Sequence, residues 1–195
     1  MLLADGDPPA WTHGSGAPAL FTEQTTSAVL PVLAGRASVA QLGRLWGLVL
    51  VGNVVGGMIF ALILSTLGPH LHIVDADAFD TIARKLLDVP WWTMWGSGVV
   101  AGWLMGLLAW LMAAGRDTIG QIVFVSLTTF VIGIAGFHHS IAGTIEVLLA
   151  LFAGAGPTWG DYGRFISAAA VGNAIGGVLF VALLKFGHVR ASASA

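Results

Sequence analysis

The sequence predicts an all-α polytopic membrane protein, built as a helical bundle from two inverted repeats with broken helices. Three observations support this prediction: the composition, a motif that occurs twice, and a polar patch inside a long apolar stretch. Of the 195 residues, 56% are hydrophobic and only 9% are charged, whereas soluble domains carry roughly 25% charged residues. No soluble fold of this size needs so much apolar surface, so several membrane spans are expected.

Charge and cysteine content exclude several classes of function. A net charge of −2 argues against a nucleic-acid partner. The absence of cysteine excludes disulfides and thiolate metal sites. No HExxH spacing occurs, so we expect neither a metal nor a cofactor.

The hydropathy pattern divides the chain into spans and loops. Residues 1–19 are polar and rich in glycine and proline, lack a signal-peptide pattern, and are expected to be disordered or poorly fitted. Residues 22–33 are too few to span a bilayer, which takes about 20 residues, and indicate a half-helix. Spans are expected over 42–67, 95–114, 118–135 continued by 140–153, and 164–186.

The spans define the expected domain plan and orientation. The transmembrane domain is expected over 20–190, with a first repeat at 20–68, a polar loop at 69–94 that includes a short amphipathic helix, and a second repeat at 95–187. A tail follows at 188–195. More Lys and Arg residues fall inside if the C-terminus is cytoplasmic, which makes the loop periplasmic.

A motif, Gly-Asn-x-x-Gly-Gly, occurs in both halves of the chain. Residues 51–64 and 171–184 share seven of fourteen positions, and the predicted spans place the two copies in opposite directions, as in transporter and channel folds. Asn53 and Asn173 are expected to hydrogen-bond between helices. Compared with the second repeat, the first lacks its opening span and half-helix. Either the assigned gene start is misplaced, which we favour, or the chain is a shortened, non-conducting paralogue.

The polar patch at residues 136–143 lies between two apolar runs. Polar groups at this depth are costly and indicate a functional site, and a broken helix is tolerated there only inside protein or beside a cavity. His139 is predicted to mark the middle of a pore; the alternative is a structural histidine that caps a half-helix. His138 is predicted to pack or to contact another subunit. Glu146 is expected to pair with Glu23 across the pseudo-twofold axis or to reach the membrane interface.

Four segments, 20–23, 52–53, 136–142 and 172–177, resemble motifs of the formate/nitrite transporter family, in particular its YfdC-like branch. The resemblance implies an aquaporin-like bundle of six helices, here shortened at its N-terminus, in the inner membrane of a bacterium. It also implies a homopentamer with one pore in each protomer. Its substrates would be small monovalent anions, such as formate, nitrite, hydrosulfide or lactate, or their neutral acids.

The resemblance also implies roles for individual residues. His139 would be the central polar side chain of the pore, opposite Thr22, with Ser140 opening the second half of the broken helix. Leu20 and Phe21 would form an apolar constriction. A loop lysine that attracts anions corresponds approximately to Lys85. Gly102 and Gly143 stand where asparagines are common in the family.

The predicted function is the passage of a weak acid as a proton and an anion. The N-terminal ends of two half-helices, near Thr22 and Ser140, would direct positive dipole ends at the centre, and His139 would relay a proton. A non-conducting or truncated membrane subunit is the alternative. An intramembrane enzyme is a distant third because no nucleophile–base pair or metal motif occurs.

Overall fold

The computed structural model describes residues 21–73, 76–115 and 117–182. Residues 1–19, Leu20 and the tail at 188–195 therefore lie outside the described residues. Eight α-helices occur within these ranges, and the last continues as a π-helix over Gly177–Ala182. The helices are α1 Phe21–Ser27, α2 Leu30–Leu33, α3 Val39–His70, α4 Ala76–Leu87, α5 Trp91–Ala114, α6 Thr118–Ala135, α7 Ser140–Phe152 and α8 Trp159–Gly176.

Three of these helices, α3, α5 and α6, are long and apolar enough to cross a membrane by length and composition. The first three predicted spans coincide with α3, with α5, and with α6 followed by α7, but several predicted ends are wrong by a few residues. The last predicted span, 164–186, overlaps α8 and the π-helix, and its end lies outside the described residues. Helix α3 begins three residues before its predicted start because of a capping box. The Ser38 hydroxyl accepts from the Gln41 N–H, and the Gln41 side-chain oxygen accepts from the Ser38 N–H. Thr158 and Asp161 form the same arrangement before α8, which extends that helix beyond its predicted start.

The helix break predicted at the polar patch lies between α6 and α7. Gly136 ends α6 with φ +65°, a left-handed conformation that glycine adopts at little cost. His139 is extended and starts α7 as its N-cap. The half-helix predicted at 22–33 is instead two short helices, and Pro31 lies in the first turn of the second one, where its missing N–H is not needed.

Small residues bring α5 and α8 into close contact. An added Cβ atom at Gly102 would overlap the backbone of Asn173, so this position cannot hold the asparagine that the family resemblance suggests. Close approach through glycine is the usual packing of membrane helices. The adjoining core contains Phe79 of α4, Met94 of α5, Leu148 of α7 and Phe165 of α8, all nearly fully buried.

The loop predicted at 69–94 contains the expected amphipathic helix, α4, but its last residues already belong to α5. Helix α4 packs against α7 through buried side chains that include Phe79, Ala83 and Leu86. Its opposite face carries exposed charges, among them Arg84 and Lys85. The Asp80 carboxylate, 2.7 Å from Arg84, raises the pKa of that guanidinium through their hydrogen bond and charge attraction.

Candidate functional site

The first side chain at the break is His139, which is 7% exposed. Its Nδ1 atom accepts hydrogen bonds from the N–H groups of Ile141 at 3.3 Å and Ala142 at 3.2 Å. Because an accepting ring nitrogen carries no proton, this network assigns the neutral tautomer with hydrogen on Nε2. Nε2 lies 3.2 Å from Thr22 Oγ1, so His139 donates to Thr22 and links α7 to α1.

The contact between His139 and Thr22 is the one that the family resemblance implied. Thr22 is fully buried, and its carbonyl accepts from the Thr25 hydroxyl at 2.8 Å. Phe21 is also buried and packs against Ile141 of α7, close to the same junction. The side chain of Glu23 lies outside the described residues, as does Leu20, so the expected pairing of Glu23 with Glu146 stays a prediction.

The backbone N–H groups at the start of α7 are already occupied. Ser140 N–H donates to Asn173 Oδ1 at 2.8 Å, the next two donate to His139 Nδ1, and the His139 N–H donates to the Phe137 carbonyl at 2.9 Å. These are the four donors that a helix N-terminus leaves without intrahelical partners. The helix dipole still points at the junction, but these N–H groups are not free to bind an anion directly. The Ser140 hydroxyl is buried and has no hydrogen-bond partner among the described residues.

Each of the two repeated asparagines caps the half-helix of its own repeat. Asn173 is fully buried, and its amide also donates to the carbonyls of Gly98 at 2.8 Å and His138 at 2.9 Å. Asn53 Oδ1 accepts from Phe21 N–H at 3.0 Å, at the start of α1. Sequence reasoning expected interhelical hydrogen bonds but missed the capping. The signal available was the occurrence of Asn at the same place in both repeats.

The second histidine, His138, has a structural environment. Its Nε2 lies 3.0 Å from the carbonyl of Leu86, and its Nδ1 lies 2.9 Å from Ser97 Oγ, which also accepts from the His138 N–H. The carbonyl can only accept, so Nε2 carries the proton and Nδ1 accepts from the serine hydroxyl. The predicted packing role of His138 agrees with these contacts, which connect the break to the end of α4.

Arg164 of α8 holds the same end of α4. Its guanidinium donates to the carbonyls of Leu87 and, at 3.1 Å, of Val89. Charged donors near a helix C-terminus satisfy carbonyls that lack helical partners. Together, His138 and Arg164 therefore hold the C-terminal end of α4 against the break before α7 and against α8.

A cavity of about 430 Å³ lies beside the break, between α6 and α7. Most of its wall is apolar, and its polar side chains are Thr129, His139 and Glu146. Lys85, on the exposed face of α4, directly precedes Leu86, which belongs to the cavity wall. Within the described residues, no group of three His, Cys, Asp or Glu side chains could hold a metal ion. The cavity is lined by Leu86, Met105, Thr129, Ile132, Gly133, Gly136, Phe137, His139, Ile141, Ala142, Gly143, Ile145 and Glu146.

Comparisons with known proteins agree with this architecture. Residues 16–187 match the family described as formate/nitrite transporter. The chain is 32% identical over 174 residues to inner membrane protein YfdC of Escherichia coli (strain K12), covering 88% of this chain and 55% of YfdC. It is 30% identical to the uncharacterized transporter YrhG of Bacillus subtilis (strain 168), covering 86% of this chain and 63% of YrhG. The chain thus spans less than two thirds of the length of either relative.

A solved structure of an FNT family ion channel is similar to this fold with a TM-score of 0.78 and 26% sequence identity. The match covers 88% of this chain and 68% of the channel. This similarity confirms the predicted fold class.

Proposed function

Because the chain belongs to the formate/nitrite transporter family, we propose that it is an inner-membrane channel or transporter for small monovalent anions or their neutral acids. The family description, the name of YrhG and that of the FNT channel refer to transporters or channels, and the chain is accordingly not an enzyme. Salmonella typhimurium NirC, 27% identical, is named a nitrite transporter. Nitrite and formate are therefore the first permeants to test.

The observation that carries the proposal is the junction of His139 with Thr22. It joins the two halves of the fold at the point where α7 begins, and His139 also lines the adjoining cavity. A broken helix beside a cavity is the arrangement in which transporters bind substrates. His139 is thus the proposed centre of the permeation route, with Phe21 as part of its constriction and Thr22 and Ser140 beside it.

The neutral acid is the species that this route favours. A bare anion in an apolar wall faces an idealised cost on the order of tens of kcal/mol. The N–H groups at the start of α7 are satisfied within the protein, so they cannot replace the hydration shell of an anion. Passage is therefore linked to protonation.

The same proposal includes a topology and an assembly. The C-terminus is cytoplasmic, which places α4 and Lys85 at the periplasmic mouth, where a positive charge attracts anions. Helices α3 and α6 expose apolar side chains such as Ile59 and Ile134. Such faces suit lipid or a neighbouring protomer, in keeping with a homopentamer.

Flux through purified protein in liposomes tests the proposal. His139→Asn keeps a side-chain acceptor that caps helices well, while it removes the imidazole. We expect formate and nitrite uptake to fall at least about tenfold, equivalent to about 1.4 kcal/mol in the rate barrier, with little loss of folding. His139→Phe removes both the imidazole and the cap and is expected to abolish uptake.

His70→Phe is the matched control because His70 is the last residue of α3 and does not belong to the cavity wall. Uptake by this variant should stay at the wild-type level. Wild-type protein that folds and assembles but passes neither permeant would contradict the transport proposal. That result would favour the non-conducting membrane subunit.

A further inference from the structure

The cavity contains an acid that the role of His139 does not explain. Glu146 lies seven residues after His139 on α7, about 10 Å along the helix, and both side chains line the same cavity. The wall between them is mostly apolar. A permanently unpaired carboxylate would be costly there and would repel an approaching anion, so a carboxyl group at this point suggests a role in proton transfer.

His139 is poorly placed to supply the proton itself. Its Nδ1 accepts two backbone N–H groups, and its Nε2–H donates to Thr22. If Nε2 gave up its proton, Nδ1 would have to take up another one, and a protonated Nδ1 would break both bonds that cap α7. The hydrogen-bond network therefore keeps His139 neutral and its proton in place.

The surroundings of Glu146 include one opposite charge. Lys85 comes from α4, where it directly precedes Leu86 of the cavity wall. On α3, Gly57 faces α7 beside Ile145, and α6 has no ionisable side chain. On α8, Tyr162 is directed to Thr144. The remaining charged groups of the packed helices have other described positions: Arg44 and His70 near the ends of α3, Asp77 and the Asp80–Arg84 pair on the exposed face of α4, Asp161 at the Thr158 cap, and Arg164 on loop carbonyls.

We propose that Glu146 is the proton donor of the permeation route and that Lys85 attracts the incoming anion to it. This inference rests on the proposed transport function and gives it a substrate class, a monovalent anion of a small weak acid. The anion is attracted to Lys85, and the Glu146 carboxylate takes up a proton supplied by the solvent at the α4 side. The O–H bond of the carboxyl group then breaks as the anion gains that proton. The neutral acid crosses the apolar wall to His139, and the Glu146 carboxylate is protonated again from the solvent.

The pH profile of formate uptake into liposomes tests the proposal. Glu146→Gln keeps the shape and polarity of the side chain but cannot transfer a proton. Its uptake should follow the fraction of formic acid in solution, which falls about tenfold per pH unit above the pKa of the acid. Wild-type uptake should decline less steeply, so that the variant is at least tenfold slower near pH 7. Glu146→Asp should restore part of the shallow profile.

Lys85→Gln should raise the formate concentration for half-maximal uptake several-fold without making the pH profile steeper. Asp77→Asn, which removes an exposed acid from the same helix α4, should leave both quantities unchanged. Infrared difference spectra of wild-type protein, taken with and without formate, should show a protonated-carboxyl band that is altered by formate. This measurement needs no variant and decides the question if Glu146→Gln does not fold.

The outcomes separate the two proposals. If wild-type protein passes no formate or nitrite, the transport function fails. If wild-type protein conducts and Glu146→Gln has the same pH profile, or the carboxyl band does not respond to formate, transport stands and the proton-donor role of Glu146 is overturned.

Discussion

The two copies of the Gly-Asn-x-x-Gly-Gly motif have the same sequence core and different surroundings. In α8, a Cβ atom at Gly172 would lie 2.5 Å from the Trp95 carbonyl oxygen, and one at Gly176 would overlap the Val99 carbonyl oxygen, both on α5. In α3, the corresponding Gly52 and Gly56 have no atom of the described residues within 4 Å of such a Cβ. The motif therefore encodes a close helix contact that only the second copy makes within the described part of the chain.

The last glycine of each motif makes a different contact, and both copies make it. A Cβ atom at Gly57 would lie 3.3 Å from the Ile145 side chain of α7, and one at Gly177 would lie 2.5 Å from the Thr25 hydroxyl of α1. Each of these glycines thus faces the half-helix of the other repeat. One face of the motif therefore packs against a helix of its own repeat. The other face contacts the half-helix of the opposite repeat, across the pseudo-twofold axis.

The largest effect is expected for the face toward α5. Gly176→Ala would force a methyl group onto a backbone carbonyl that cannot move without shifting α5, and overpacking of this kind costs about 1–3 kcal/mol or more. We expect the upper end of that range, measured as a loss of folded protein in detergent or a lower Tm. Gly56→Ala is the matched control on α3, where removing a helical glycine should be neutral or stabilising by up to about 1 kcal/mol.

A different result for the control would sharpen the comparison. If Gly56→Ala lowers the stability of the assembled protein in membranes but not of the protomer in detergent, a helix from a neighbouring molecule packs on that face. Equal losses for both alanine variants in detergent would contradict the asymmetry between the two copies.

An intermediate effect is expected for the asparagines. Asn173→Ala removes three hydrogen bonds to buried backbone groups. Interhelical hydrogen bonds in membranes average about 0.6 kcal/mol each, so the loss of three predicts about 2 kcal/mol. Asn53→Ala, which removes the cap on Phe21 in a half-buried position, should cost about 1 kcal/mol. Unfolding of both variants in the same detergent measures the difference; a larger loss for Asn53→Ala would overturn this ranking.

Sequence reasoning recovered features that are local or repeated. Apolar length predicted the spans, and the Gly-rich polar patch predicted the break before α7. The repeated motif indicated two inverted halves, and the fold comparison confirmed that class. The contact of His139 with Thr22 followed from the family resemblance, not from spacing.

The missed features depend on distant parts of the chain. His138 reaches a carbonyl 52 residues earlier in the chain, and Arg164 reaches carbonyls of the same loop; neither pairing leaves a periodic signal. The occupied N–H groups of α7 also involve Asn173, 33 residues later. Such bonds form only when packing brings the helices together, so composition and hydropathy do not reveal them.

The smallest effect is expected at Gly57, where α3 of the first repeat contacts α7 of the second. Gly57→Ala places a methyl group 3.3 Å from Ile145 Cγ1, so a flexible side chain has only to shift slightly, and the helix gains the propensity of alanine, about 1 kcal/mol. The two effects nearly cancel, and Tm should change little. Gly177→Ala meets the β-branched Thr25, which has fewer rotamers, and should cost about 1 kcal/mol more. If Gly57→Ala lowers Tm as much as Gly176→Ala does, the Ile145 side chain cannot shift, and α3 packs against α7 as closely as α8 packs against α5.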